Sequence, residues 1–212
     1  MERIRAYLLF TSWRYRLGIF LGLPAAVLAG GLLWHGFLLV SVFSYLMITG
    51  MIFAETITDR WIFNGIQSKR GYKLDFLKTS PVGPRFLFQG LSGDLVRRLL
   101  MAMVCIGIGW AIRVLDTEDG WAGYLGLVLT VYFSEMLGLF LSRFTRSIIL
   151  FMFVAYGSIT VGNILYVLLG NISASGLWAA DGLLALAAAA MSVLIVRTGM
   201  RKWRNTYSDA QE

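Results

Sequence analysis

The sequence predicts an all-α, polytopic integral membrane protein with six transmembrane helices and an N-terminal interfacial helix. Three observations predict this fold class. The 212 residues are 58% hydrophobic and 15% charged, with a mean hydropathy of +0.70, whereas ordinary soluble domains are about 45–50% apolar. The apolar residues form runs long enough to cross a bilayer. Lys and Arg concentrate between alternate runs.

The N-terminal interfacial helix is predicted over residues 1–16. Tyr7, Trp13 and Tyr15 suit the headgroup zone, and the arginines near them suit anionic lipid. The spans follow, since a helix needs roughly 17–25 mostly apolar residues to cross the hydrocarbon core. The six predicted spans are Leu17–Leu33, Phe37–Ile57, Leu99–Leu115, Trp121–Leu141, Ile148–Leu169 and Gly176–Val196.

The basic residues predict the orientation of these spans. With six spans, 18 of the 19 Lys and Arg residues lie on one side of the membrane, and only Arg113 lies on the other. Because basic residues accumulate on the cytoplasmic side, both termini are expected in the cytoplasm, and the expected location is a bacterial cytoplasmic membrane. The net charge of +7 then indicates membrane lipids as partners, and no nucleic acid is expected.

Residues 1–212 are expected to form a single transmembrane domain, whose one sizeable cytoplasmic piece is segment 58–98. Within it, residues 64–71 (NGIQSKRG) predict a turn or loop. A short helix from Tyr72 is expected to stop at Ser80, because a residue before proline is biased out of the α conformation. A connection of this length is usually functional or disordered, and its many aromatic residues argue against disorder.

A second helix is predicted directly after this break. Pro84 is suited to the first turn of a helix. Leu87, Leu91 and Leu95 then recur every four residues, which predicts an amphipathic ramp leading into the third span.

The run GYKLDFLKTSPVGPRFLFQG (71–90) resembles the cytoplasmic segment between spans two and three of the type-2 exporter permeases of ATP-binding cassette transporters. In that family a glycine precedes a short leucine-acidic-aromatic-leucine helix, a small residue, Pro-Val and a basic residue. The residues in those places are Gly71, Leu74, Asp75, Phe76, Leu77, Ser80, Pro81, Val82 and Arg85. The six-span layout, interfacial helix and cytoplasmic termini are similar as well, so the resemblance extends over the whole chain.

The resemblance implies a coupling helix between helices two and three, seated in a cleft of a separate ATPase subunit. The expected contact residues are Leu74, Asp75, Phe76, Leu77, Lys78, Thr79, Ser80, Pro81, Val82 and Arg85. It also implies two ATPase copies, which hold the ATP and Mg²⁺, and a second permease, identical or homologous. Such a complex would export a substrate, and an amphipathic peptide, drug or lipid suits the small external loops.

The sequence departs from the family pattern in two places. Only Gly170–Ser175 separates spans five and six, and the nearest glutamate before Gly71 is Glu55, sixteen residues upstream. The chain has no G-x-x-x-x-G-K-[ST] sequence, so we expect it neither to hydrolyse ATP itself nor to bind a cofactor. The alternatives are a membrane-embedded lipid-modifying enzyme and a non-transporting scaffold or immunity protein.

Polar residues inside the predicted spans are candidate translocation-path or buried polar sites, because charge in a membrane is usually functional. They are Glu135, Asn163 and Asp181. Glu135 has three interpretations: an ion pair with Arg143 or Arg146, a neutral acid hydrogen-bonded between helices, or a role in the substrate path or proton handling. Glu55 is expected to reach water at the cytoplasmic interface. No metal site or catalytic residue is predicted.

Overall fold

The computed structural model describes residues 7–8, 11–34, 40–67, 80–113, 115, 120–142 and 147–205. Within these ranges the chain is helical and has no strands. The long helices are α1 (Trp13–Trp34), α2 (Val40–Gln67), α3 (Gly83–Ala111), α4 (Trp121–Ser142), α5 (Ile148–Leu169) and α6 (Ala174–Asn205).

Among the residues that the structure describes, four helices are long and apolar enough to cross a membrane. They are Trp13–Trp34, Trp121–Ser142, Ile148–Leu169 and Gly176–Arg201. The protein is therefore membrane-integral and all-helical, which confirms the predicted class. The predicted second and third spans are not among the four. α2 contributes only the shorter apolar helix Val42–Ile57, and α3 carries charged residues through its N-terminal half.

The first long helix begins earlier than the sequence predicted. Ser12 caps it, and its Oγ accepts a hydrogen bond from the Tyr15 backbone N–H at 3.3 Å. Residues 13–16 thus belong to α1 rather than to a separate interfacial helix. One widened π turn, Gly18–Gly22, lies just before Pro24, whose ring would clash with the carbonyl four residues earlier in a regular helix.

α2 is also longer than predicted. It runs through Asn64 to Gln67, so the first half of the predicted 64–71 turn is helical and that prediction was wrong. Gly65 is the one strong helix breaker there, and a single internal glycine costs only about 1 kcal/mol relative to alanine. Residues 68–71, like most of the predicted coupling helix, lie outside the described ranges.

α3 begins as predicted and ends sooner. Pro84 lies in its first turn, which confirms the predicted start. The helix ends at Ala111, and Arg113 is exposed with a left-handed φ of 54°. Arg113 therefore lies in the turn after the helix and not within the predicted third span.

α4 is the central helix of the bundle. It packs against α2, α3, α5 and α6. In its most apolar stretch 67% of the residues are buried, compared with 22% in the corresponding stretch of α5. Large apolar side chains on the outer helices remain exposed, as expected of surfaces that face lipid.

Aromatic side chains cluster where α3 ends and α4 begins. The Trp110 ring centroid lies 5.2 Å from that of Trp121 and 5.7 Å from that of Tyr124. The Tyr124 hydroxyl also donates a hydrogen bond to the Met103 carbonyl at 2.9 Å. Trp and Tyr prefer the membrane–water interface, so this cluster indicates the level of one interface.

Candidate functional site

Among the described residues, four buried charged side chains come together between α2 and α3. Glu55 of α2 and Asp94, Arg97 and Arg98 of α3 are each at most 4% exposed. We call these four residues the buried charge cluster. Asp94 is three and four residues before the two arginines, so the three α3 side chains share one face of that helix.

Arg97 joins the two helices through a two-pronged ion pair. Its Nη1 donates to Glu55 Oε1 at 2.7 Å, and its Nη2 donates to Glu55 Oε2 at 2.6 Å. The same guanidinium also contacts Asp94 Oδ1, from Nη2 at 3.1 Å and from Nε at 3.3 Å. Bidentate arginine–carboxylate pairs add geometric specificity as well as energy, so Arg97 fixes the relative position of α2 and α3.

Arg98 makes a second connection between the same helices. Its Nε donates to Asp94 Oδ2 at 3.0 Å. Its Nη1 lies 3.0 Å from Glu55 Oε2 and donates to the Glu55 backbone carbonyl, also at 3.0 Å. The bond to a main-chain carbonyl ties α3 to the backbone of α2 as well as to its side chain.

The cluster contains two positive and two negative side chains, so its formal charges cancel. Removing several charged groups from water is costly, and their mutual attraction offsets this only with good geometry and saturated hydrogen bonds. Removing one partner from such a group leaves a buried charge unpaired, which typically costs about 3–5 kcal/mol. The cluster therefore connects α2 to α3, and removing any one of its members should destabilise the protein. We call this connection the joint.

Tyr7 of the N-terminal segment covers this joint. Its ring lies 5.5 Å from the Arg97 guanidinium carbon, and its hydroxyl donates to the Tyr15 hydroxyl at 3.0 Å. Burial, reinforced by the Asp94 carboxylate, raises the pKa of the Tyr7 phenol. The ring is thus neutral at physiological pH and contributes a cation–π contact to Arg97.

The sequence analysis was wrong about Glu55 and missed its partners. Glu55 is 1% exposed and does not reach water, because both arginines of α3 bind it. The one local signal was the D-x-x-R-R spacing (94–98), which places an acid and two bases on one helix face. That spacing does not reveal a partner more than forty positions earlier in the chain.

The predicted ATPase-contact residues fall in two groups. Leu74, Asp75, Phe76, Leu77, Lys78 and Thr79 lie outside the described residues. Ser80, Pro81, Val82 and Arg85 form the entry to α3, where the Gly83 backbone N–H donates to the Ser80 carbonyl at 3.0 Å. Pro81, Val82 and Arg85 are exposed. Their contact with a partner stays a prediction.

The predicted membrane polar residues do not converge on one site. Glu135 is 1% exposed in the centre of α4, and its Oε2 forms no hydrogen bond within the described residues. Arg143 and Arg146 lie outside those residues, so the predicted ion pair stays a prediction. Asn163 donates from Nδ2 to Thr49 Oγ1 at 3.2 Å, which joins α5 to α2.

Asp181 lies against the other half of α4. It is 5% exposed, and neither carboxylate oxygen forms a hydrogen bond within the part of the chain that the structure describes. A Cβ added to Gly126 would lie 2.8 Å from Asp181 Oδ1, so the glycine makes room for the carboxylate. Gly126 and Glu135 are nine residues apart on α4, which separates them by about 13 Å along its axis.

Small residues bring α2, α4 and α5 together near Glu135. A Cβ added to Gly138 would lie 2.8 Å from Ser158 Oγ and 3.1 Å from Thr56 Oγ1. One added to Gly162 would lie 3.0 Å from Ser134 Oγ. Close approach at small residues is a common way for membrane helices to associate, and here it occurs within one chain.

In the ranges that the structure describes, no three His, Cys, Asp or Glu residues are grouped so that they could hold a metal ion. A scan against protein-family models, a search of curated proteins and a search of solved structures all find no match to this chain.

Proposed function

We propose that this protein is the transmembrane permease subunit of an ATP-driven exporter of the type-2 ATP-binding cassette class. In this proposal a separate ATPase subunit, present in two copies, binds ATP and Mg²⁺ and drives the export of an amphipathic peptide, drug or lipid. A second permease, identical or homologous, completes the complex. The resemblance of residues 71–90 is the starting point of the proposal.

The observation that carries it is the position of the buried charge cluster relative to segment 68–79. α2 ends at Gln67, twelve residues after Glu55, and α3 begins at Gly83, eleven residues before Asp94. At 1.5 Å per residue the two helical arms are about 16–18 Å long. Because both arms are continuous helices, a force applied at Gln67 or Gly83 would reach the membrane helices through this joint.

If α2 and α3 also cross the membrane, they bring the number of spans from four to six. α3 is about 43 Å long by the same rise per residue. Its charged side chains at the cluster are buried, whereas Val96, Leu100 and Val104 on a different face are 41–49% exposed. An exposed aliphatic face beside an internally neutralised charge group suits a helix that faces lipid.

The distribution of Lys and Arg supports cytoplasmic termini and a cytoplasmic segment 68–79. A topology experiment tests this part separately. Ser80→Cys and Ser173→Cys would each be treated in intact cells with a membrane-impermeant maleimide. With six spans only the cysteine at 173 is labelled. Labelling at 80 to the same extent would place the segment outside, where no ATPase acts, and would end the proposal.

Co-purification tests the partner. The chain, tagged and gently extracted from its own host, is expected to retain an ATP-hydrolysing subunit in a one-to-one ratio. Leu77→Asp would place a charge at an expected apolar anchor, and loss of a central anchor typically costs at least about 2 kcal/mol, so ATPase recovery should fall roughly thirtyfold. The control Ala210→Asp adds the same charge at a position more than a hundred residues away from the docking segment in the sequence and should leave recovery unchanged.

The outcomes separate the proposal from its alternatives. If the unmodified chain retains no ATPase, the exporter proposal fails, and a lipid-modifying enzyme or a scaffold becomes the better account. If Leu77→Asp and Ala210→Asp retain equal amounts of ATPase, the assignment of the docking segment is wrong even though the partner exists.

A further inference from the structure

One face of α6 changes from aliphatic to basic along its length. Leu183, Leu186 and Val193 are 69%, 70% and 51% exposed. Arg197, Arg201 and Arg204 continue the same three- and four-residue spacing and are exposed as well. The aliphatic part lies within Gly176–Arg201, the part of α6 that is apolar enough to cross a membrane. The three arginines therefore lie at the level where lipid headgroups begin.

These arginines line a groove between α6 and the start of α3. Its cavity volume is 460 Å³, and its walls are Phe88, Val196, Arg197, Met200, Arg201 and Arg204. Three of its six lining residues are apolar and three are arginines, so the groove suits an amphipathic anion better than a simple ion.

The arginines of the groove differ from those of the buried charge cluster. Arg97 and Arg98 are buried and bound to carboxylates. Among the described residues, no ion pair involves Arg197, Arg201 or Arg204. Guanidinium groups bind phosphate oxygens in a bidentate manner, and each basic residue near an anionic bilayer adds to the attraction.

We propose that this groove binds the phosphodiester headgroup of an anionic phospholipid such as phosphatidylglycerol. The headgroup contacts Arg197, Arg201 and Arg204. One acyl chain passes Phe88 and Val196 and follows the exposed aliphatic face of α6 toward Leu186. Two observations favour a lipid over a soluble phosphate: the groove has an apolar wall, and its lining helix carries an exposed aliphatic face within a helix apolar enough to cross a membrane.

Native mass spectrometry can test this on the purified full chain in micelles that contain equal amounts of phosphatidylglycerol and phosphatidylcholine. The unmodified chain is expected to retain phosphatidylglycerol in preference. Loss of one arginine near an anionic surface weakens binding about fivefold, so the triple variant Arg197→Gln, Arg201→Gln, Arg204→Gln should weaken it about a hundredfold.

The matched control removes one charge elsewhere. Arg113 is also exposed, and Arg113→Gln should leave phosphatidylglycerol retention within about twofold of the unmodified chain, because this arginine does not line the groove, whereas Arg201→Gln alone should weaken retention about fivefold. An equal loss in the two single variants would show that net charge alone attracts the lipid and would overturn the proposal.

A competition on the unmodified chain separates lipid from soluble phosphate and does not depend on any variant folding. Glycerophosphoglycerol, the same headgroup without acyl chains, is added in large molar excess. Retention of phosphatidylglycerol supports the proposal, because the apolar wall then contributes to binding. Complete displacement would identify a soluble-phosphate site instead, and equal retention of phosphatidylcholine would indicate non-selective lipid. Either result overturns the proposal.

Discussion

Glu55 and Asp181 are both carboxylates buried among helices, yet their surroundings are opposite. Glu55 accepts hydrogen bonds from two arginines of the adjacent helix. Asp181 rests against Gly126, and its oxygens form no hydrogen bond within the described residues. Glu55 thus connects two helices, whereas Asp181 is buried where a glycine leaves room for its side chain. Burial by itself thus does not tell whether an acid in a membrane protein stabilises it.

The largest expected effect comes from opening the buried charge cluster. Arg97→Ala leaves both carboxylates short of a partner, so the free energy of unfolding should fall by about 3–5 kcal/mol. Equilibrium unfolding of the purified chain in mixed micelles measures it. Arg113→Ala removes an exposed arginine and should change stability by less than about 0.5 kcal/mol. Equal losses in the two variants would mean that the cluster is not a joint.

A smaller effect is expected where small residues bring helices together beside Glu135. In Gly138→Ala the new methyl group would meet Ser158 and Thr56, and overpacking of this kind costs about 1–3 kcal/mol. Gly157→Ala on α5 has no neighbouring atom within 4 Å. It should be neutral or gain up to about 1 kcal/mol from helix propensity. A stable Gly138→Ala protein would contradict the close α4–α5 contact.

Asp181 offers a direct contrast with the cluster. Asp181→Asn removes a buried charge that has no described partner, so the same unfolding measurement should show a gain of about 1 kcal/mol. The matched change Asp94→Asn weakens a cluster that needs its charge and should lower stability. If both variants lose stability, Asp181 has a partner of its own and the contrast fails.

Much of the helical layout could be predicted because long apolar runs determine it locally. Ile148–Leu169 was predicted with the observed ends, and Pro84 correctly marked the start of α3. Helix ends outside the apolar runs were less predictable. Continuation of α2 to Gln67 and the capping of α1 at Ser12 depend on small local free energies.

The candidate site was harder to predict, since its residues come from distant parts of the chain. Asp94, Arg97 and Arg98 share a face by their spacing alone, but only tertiary packing brings Glu55 to that face. For the same reason, the sequence singled out Asn163 without its partner Thr49. The hydropathy pattern also predicted that the third span begins directly after Arg98, whereas α3 continues through Arg97 and Arg98 without interruption.

The smallest expected effect tests whether the Tyr7 hydroxyl, which lies beside the buried charge cluster, adds to the stability of the protein. Tyr7→Phe keeps the ring over Arg97 and removes the hydroxyl that donates to Tyr15, so the free energy of unfolding should fall by about 0.5–1.5 kcal/mol. Tyr156→Phe, at a position that is 72% exposed, serves as the control and should have no measurable effect. If Tyr7→Phe matches this control while Arg97→Ala remains strongly destabilising, the hydrogen bond between Tyr7 and Tyr15 adds nothing to stability. If Tyr7→Phe is destabilising, this bond connects the segment before α1 to α1 beside the joint.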